Sequence, residues 1–166
     1  MDELNTKPAI HGPVDESGKS IGLSLAEVRQ APGYLIRRAH QYANAAYAAE
    51  YGPDVVTGVQ FVALTAIAEE PGLTGMMVAE RIGYDKMTTS HVIRRLERKE
   101  LIARHRSRLD GREIQISLTD AGRTAIDEIS ARLGMVSDTV LAPLDLEERK
   151  LLLRLLEKLE KASRET

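Results

Sequence analysis

The sequence predicts a mostly α-helical fold with one two-stranded hairpin set between helices. Three observations carry this. Apolar residues recur at spacings of three and four through most of the chain beyond residue 24. The period changes to two only over LIARHR and REIQISL, on either side of the turn SRLDG. Helix starts are marked repeatedly by Ser, Thr or Asp, several with Glu or Gln three residues later. The 166 residues, 43% apolar and 29% charged, have the balance of a soluble globular protein. A chain this long buries about two-thirds of its unfolded surface and needs no metal or disulfide to hold it.

Each element follows in order. Residues 1–23 mix Pro, Gly, Ser and charges without periodicity and read as a flexible arm. Ser24 with Glu27 forms a capping box over the short turn LSLAEVRQ. Pro32 suits the first turn of a longer helix, PGYLIRRAHQYANAAYAAEYG, stopped by Gly52 and Pro53. Thr57 with Gln60 boxes GVQFVALTAIAEE, which Pro71-Gly72 terminates. Thr74 caps GMMVAERI, Gly83 ends it, and Asp85 caps KMTTSHVIRRLERKE. After the hairpin, Asp120 caps one long helix, DAGRTAIDEISARLGMVSDTVLA, ended by Pro143. Asp145 with Glu148 boxes the last, LEERKLLLRLLEKLEKAS. The order is three or four helices, a hairpin, then two more helices, with no internal repeat.

Composition excludes several chemistries. There is no cysteine, hence no disulfide, thiolate metal site, iron–sulfur cluster or thiol nucleophile. His11, His40, His91 and His105 lack the spacing of a helical metal pair. No phosphate loop, nucleophile elbow or dinucleotide fingerprint is present, so neither a metal, a cofactor nor an enzymatic activity is expected. No apolar run approaches the roughly 18 residues that cross a membrane, and the acidic, polar N-terminus is no secretory signal. A cytoplasmic location with no membrane partner is the expectation.

The net charge of −2 hides an asymmetry. Residues 81–112 hold ten Lys or Arg against four acids, so this segment carries +6 and the remainder −8. Such a distribution suits a polyanion-binding element on an acidic scaffold. Within it, a helix of about eight residues, a short turn and a helix of about fourteen make a helix-turn-helix. On the second helix Thr89, Ile93 and Leu96, with Val92, point to the core. Thr88, His91, Arg95 and Arg98 fall on the other face, flanked by Ser90 and Arg94. Short hydroxyls let the backbone approach a groove floor, and Arg and His donate to guanine edges or phosphates. The hairpin then sets Arg106, Arg108 and Arg112 about its turn, as a wing suited to backbone or minor groove. The alternative is an ordinary amphipathic helix beside a charged surface hairpin.

These segments resemble the MarR family of winged-helix regulators over about residues 32–122. The matching stretches are TGVQFVALTAI, EEPGLTGMMVAERIGYDKMTTSHVIRRLERKELIAR and DGREIQISLTDAG. The family's wing pattern is met by Asp110, Arg112, Leu118 and Thr119. Glu100 stands where the family commonly has Gly, which predicts a less sharp bend into the first strand. The resemblance implies a winged helix-turn-helix at 55–119, N-terminal dimerisation helices at 24–54 and C-terminal ones at 120–163. It also implies a homodimer that binds a pseudo-palindromic double-stranded operator as a repressor released by a small molecule.

Two further constellations bear on assembly and ligand. In the helix after the hairpin, Ile126, Ile129, Leu133, Val136 and Val140 recur at three and four. Leu152, Leu155, Leu156 and Leu159 do the same in the last helix, beside Leu151 and Leu153. A helix apolar on more than one side wants a second subunit or burial against the first long helix. Four of the five Tyr lie within residues 34–51. Tyr34, Arg38 and Tyr42 follow at spacing four, and His40, Tyr47 and Tyr51 at seven and four. Guanidinium, imidazole and phenols together can hold the carboxylate and ring hydroxyl of a small aromatic acid. Tyr in a helical stripe can equally be packing. The stretch APGYLIRRAHQ is similar to the hydroxynicotinate-responsive branch of the family. That likeness implies an aromatic effector such as a hydroxynicotinate or hydroxybenzoate at Tyr34, Arg38, His40, Tyr42 and Tyr47. The rival functions are a winged-helix module used only for protein contact, and an all-α enzyme.

Overall fold

The computed structural model describes residues 22–52, 55–107 and 112–164. The predicted arm up to residue 21, the stop at Pro53, and Arg108 and Asp110 of the wing lie outside the described residues. The chain divides into two compact units, Met1–Ala43 and Asn44–Thr166. In the first, α1 (Leu25–Gln30) opens on the expected capping box. The Ser24 amide donates to Glu27 Oε2 at 2.7 Å and the Glu27 amide donates to Ser24 Oγ at 3.3 Å. α2 spans Pro32–Tyr51, its residues up to Ala43 belonging to the first unit. Leu25, Val28, Leu35 and Ile36 stand exposed in that unit.

The second unit holds α3 (Gly58–Glu69), α4 (Gly75–Ile82), α5 (Lys86–Arg98), β1 (Ile102–Arg106), β2 (Ile114–Leu118), α6 (Asp120–Ser130), α7 (Leu133–Leu141) and α8 (Leu146–Arg164). The strands pair antiparallel from Ile102↔Leu118 to Arg106↔Ile114, as the change of period predicts. Ile116 donates its amide to the Leu73 carbonyl at 2.9 Å, so the segment before α4 joins the hairpin edge. Leu64 and Ile67 from α3, Leu73, Val78 from α4, Leu96 from α5, Ile116 and Ile129 close one core. Burying a side chain of this kind stabilises by roughly 1.5–3 kcal/mol. Gly122 lets α6 lie against the hairpin, because a Cβ there would stand 2.1 Å from the Leu101 carbonyl oxygen. No described helix is long and apolar enough to cross a membrane.

Two expectations are corrected. Among the described residues five helices precede the hairpin and three follow it. The short turn after Ser24 is a helix in its own right, and the predicted helix from Asp120 to the segment before Pro143 is broken at Ala131–Arg132. Tertiary contacts converge on the break, where the Ile129 carbonyl also accepts the Arg132 amide at 3.1 Å. Tyr51 Oη donates to the Ile129 carbonyl at 2.6 Å, a group that an unbroken helix would give to the Leu133 amide. Arg132 donates from Nη1 to the Glu50 carbonyl at 3.2 Å and to its carboxylate at 3.4 Å, and its guanidinium lies 4.8 Å from the Tyr51 ring centre. This clasp ties the end of α2 to the α6–α7 junction.

The second correction is at Glu100, where the bend is as sharp as a glycine would make it. Its φ is +57°, in the left-handed region. Glu100 donates its amide to Glu97 and Leu101 donates to Leu96, which closes α5 in a Schellman turn. Thr119 Oγ1 donates to the Glu100 carbonyl at 2.7 Å and holds the turn in place. A side chain in this conformation costs about 1–2 kcal/mol, partly offset by glycine's greater unfolded entropy. Glu100→Gly should therefore stabilise by about 1 kcal/mol and raise the melting temperature by roughly 2–4 °C. A thermal melt in which the variant unfolds at or below the wild-type temperature contradicts this.

Candidate nucleic-acid interface

The interface starts with a cap. Asp85 accepts from the Thr88 amide at 2.9 Å and from Thr88 Oγ1 at 2.6 Å. These bonds hold the Asp85 carboxyl below the usual carboxylate range, the hydroxyl contributing most. Because the folded value is the lower one, the cap is intact at neutral pH and is lost only as pH falls below that range, through the lowered folded value. Gly83, left-handed at φ +69°, ends α4 and turns the chain into α5. Thr89, Val92, Ile93 and Leu96 are buried at the expected spacing. The Thr89 hydroxyl is buried there without a partner among the described residues.

The opposite face of α5 is polar and open. Ser90, His91, Arg94, Arg95 and Arg98 are all exposed. Arg94 Nε donates to the Ser90 carbonyl at 3.3 Å, and its Nη2 stands 3.4 Å from His91 Nδ1. A guanidinium only donates, so in this contact Nδ1 is the acceptor and Nε2 is the ring nitrogen that faces away from Arg94. Thr88 is placed differently. It is half-buried, and its hydroxyl proton is given to Asp85, which leaves it as an acceptor only. A shallow recess of about 480 Å³ runs along His91, Arg94, Arg95, Glu97 and Arg98.

In the wing, Arg106 and Arg112 are exposed. Arg104 of β1 pairs with Glu97 of α5 at 3.1 Å and ties the wing to the helix. A second recess, of about 260 Å³, lies where α4, α5 and the hairpin meet. Met76, Lys86, Ser90, Arg104 and Ile114 line it above Gly75 and Ile93. Reading the sequence for polar faces passes over Met76, Lys86 and Ile114. The spacing of four between Lys86 and Ser90 is the signal that could have found Lys86.

The aromatic candidates fall in both units. In the first, Tyr34 is half-buried with the Arg37 guanidinium 5.0 Å from its ring centre. Arg38 is exposed and donates to Gln41 Oε1 at 3.2 Å, and His40 and Tyr42 are exposed. In the second unit the Tyr47 ring packs 4.6 Å from Tyr51. The Tyr47 hydroxyl is buried and has no partner among the described residues. Burial, with Tyr51 beside it, pushes this phenol up to about 12, so it stays neutral. An open groove of about 320 Å³ on α3 and α4 is lined by Phe61, Val62, Thr65 and Ile82. Arg81 at its edge is ion-paired with Glu70, so an acid entering there competes with that carboxylate.

The comparisons with known proteins fit this geometry. The family model described as MarR family matches residues 56–113, which run from α3 to the wing. The transcriptional regulator MgrA of Staphylococcus aureus is 35% identical over 111 residues, covering 67% of this chain and 74% of MgrA. The transcriptional repressor NicR of Pseudomonas putida is 25% identical over 133 residues, covering 80% of this chain and 84% of NicR. The structure of Bordetella bronchiseptica BpsR, solved for the regulation of its DNA binding by 6-hydroxynicotinic acid, matches with a TM-score of 0.67 and 29% identity. That match covers 77% of this chain and 97% of BpsR. By the family model and by MgrA, 35% identical with 74% of its length covered, the chain belongs to the MarR family of winged-helix, DNA-binding transcriptional regulators.

Proposed function

We propose that the protein is a homodimeric repressor that leaves a pseudo-palindromic operator when it binds a small aromatic carboxylate. The observation that carries the DNA half is the outer face of α5, where Ser90, His91, Arg94 and Arg95 are exposed together beside the wing. On this reading α5 enters the major groove, with Thr88 accepting and the others donating to bases and phosphates. Arg106, Arg108 and Arg112, with Asp110 in the same turn, serve the flanking backbone or minor groove. The likeness to NicR, a repressor, supports the sign of regulation. The leucines of α8 support the dimer, since each of the six from Leu151 to Leu159 is at least 36% exposed.

The effector half rests on α2, which carries Tyr34, Arg38, His40, Tyr42 and Tyr47. Arg38 offers a fork to a carboxylate, and the tyrosines offer ring faces and hydroxyls. The likeness to BpsR, whose DNA binding is regulated by 6-hydroxynicotinic acid, supports this ligand class. To act, the ligand must bind the arrangement of reading heads that does not fit DNA more tightly than the one that does. A coupling of about 1–3 kcal/mol lowers operator affinity roughly 5–150-fold. Hydroxylated benzoates and nicotinates titrated by calorimetry should yield a binder that releases duplex DNA. Arg38→Ala should keep DNA affinity and lose the response, and His40→Ala should weaken it less. If Arg38→Ala binds and responds as wild type does, the effector does not sit at Arg38 and the tyrosines are packing residues.

A further inference from the structure

We propose that Met87 reads the 5-methyl group of a thymine in the major groove and so fixes a T·A pair in each half-site. The proposal rests on α5 being the recognition helix. Met87 lies in the first turn of α5 and is 74% exposed, the most exposed large apolar side chain among the described residues. It shares a line with Ser90, His91 and Arg94 at spacings of three, four and seven, opposite the buried stripe that begins at Thr89. Every other exposed residue of α5 is polar or charged.

An apolar side chain amid a basic strip gains nothing from phosphate or from water. The major-groove edges of the four base pairs present one apolar group, the thymine methyl, and a docked helix-turn-helix brings the N-terminal residues of its second helix to those edges. The neighbouring side chains fit the same occupant. Lys86 precedes Met87, and Met76, itself 63% exposed, lines the adjoining recess with Lys86 and Ser90. The thioether is flexible enough to follow the methyl as the helix settles in the groove. Burying one methyl corresponds to roughly 4-fold in affinity, and a two-fold dimer repeats it for roughly 15-fold.

The experiment uses duplexes enriched by the full-length protein from a random-sequence pool. Each thymidine is replaced in turn by deoxyuridine, symmetrically in both half-sites, so that only the methyl is lost. At one position wild type should lose roughly 15-fold in affinity. Met87→Ala should bind the thymidine and deoxyuridine duplexes equally, and Met87→Leu should keep the discrimination. A flat scan with wild type overturns the proposal, as does an equal penalty for Met87→Ala. A flat scan on wild type overturns the proposal even if Met87→Ala folds poorly, and the conservative Met87→Leu then carries the assignment to this side chain. Arg94→Ala and Arg95→Ala separate this from the underlying reading. If they weaken binding while the scan is flat, α5 meets DNA but Met87 is not a reader. If they leave every duplex bound as before, α5 is not the recognition helix.

Discussion

Raising the salt concentration from about 50 to 200 mM should cost the wild-type protein on the order of 10³-fold in affinity for duplex DNA. Arg94, Arg95, Arg106, Arg108 and Arg112, present twice in a dimer, are enough to neutralise about 6–10 phosphates, and each releases condensed counterions. The segment of residues 81–112 carries this charge while the remainder of the chain is −8, so attraction to DNA is concentrated in that segment. Arg112→Ala should weaken all sequences alike and reduce the slope of log affinity against log salt by about 1 for each subunit's lost contact. His91 and Ser90 substitutions should instead change which sequence is preferred, because in the proposed docking they face base edges rather than phosphates. Fluorescence anisotropy across that salt range checks all three. An affinity that hardly changes with salt would remove the case for phosphate contact and with it the role of the wing.

Removing the residues after Pro143 should leave monomers or aggregates that bind an operator roughly 10²–10⁴-fold more weakly. α8 is 19 residues long and buries none of its leucines. Leu151, Leu152, Leu153, Leu155, Leu156 and Leu159 form a face that water does not reward. A two-fold partner covers such a face with the same face of another copy. Without it, the second half-site is no longer bound within one complex, and the gain from linking the two reading heads disappears. Sedimentation measures the assembly and anisotropy the affinity. A wild-type protein that sediments as a well-folded monomer at micromolar concentration contradicts this.

Local chemistry wrote most of the reading unit legibly. Asp85 and Thr74 cap their helices as expected, because a short side chain reaches an amide that the helix leaves unpaired. At α6 the expected cap is corrected by one residue: Thr119, not Asp120, accepts from the Gly122 amide at 3.0 Å, and Asp120 is the first helical residue. The buried stripe of Thr89, Val92, Ile93 and Leu96 follows from the 3.6-residue period alone. The hairpin needed only the switch to period two, and the basic face only counting.

What sequence could not decide was set by competition between distant groups. Asp120 to Leu141 has the pattern of one helix, yet it is broken where the Ile129 carbonyl accepts both the Arg132 amide and a phenol 78 residues away. Propensity scarcely disfavours Arg132 in a helix, and in the fold its guanidinium is engaged by Glu50 and the Tyr51 ring. Glu100 takes the left-handed turn although its type resists it, because Thr119 and the Schellman bonds hold both sides of the peptide. Thr88 belongs to the polar set by spacing, but Asp85 claims its proton. Spacing already sets Met87 in line with His91 and Arg94, but only the folded structure shows that no neighbour covers it. Periodicity tells which residues share a face. Whether a carbonyl, a hydroxyl or a thioether on that face is already engaged depends on what folding brings against it.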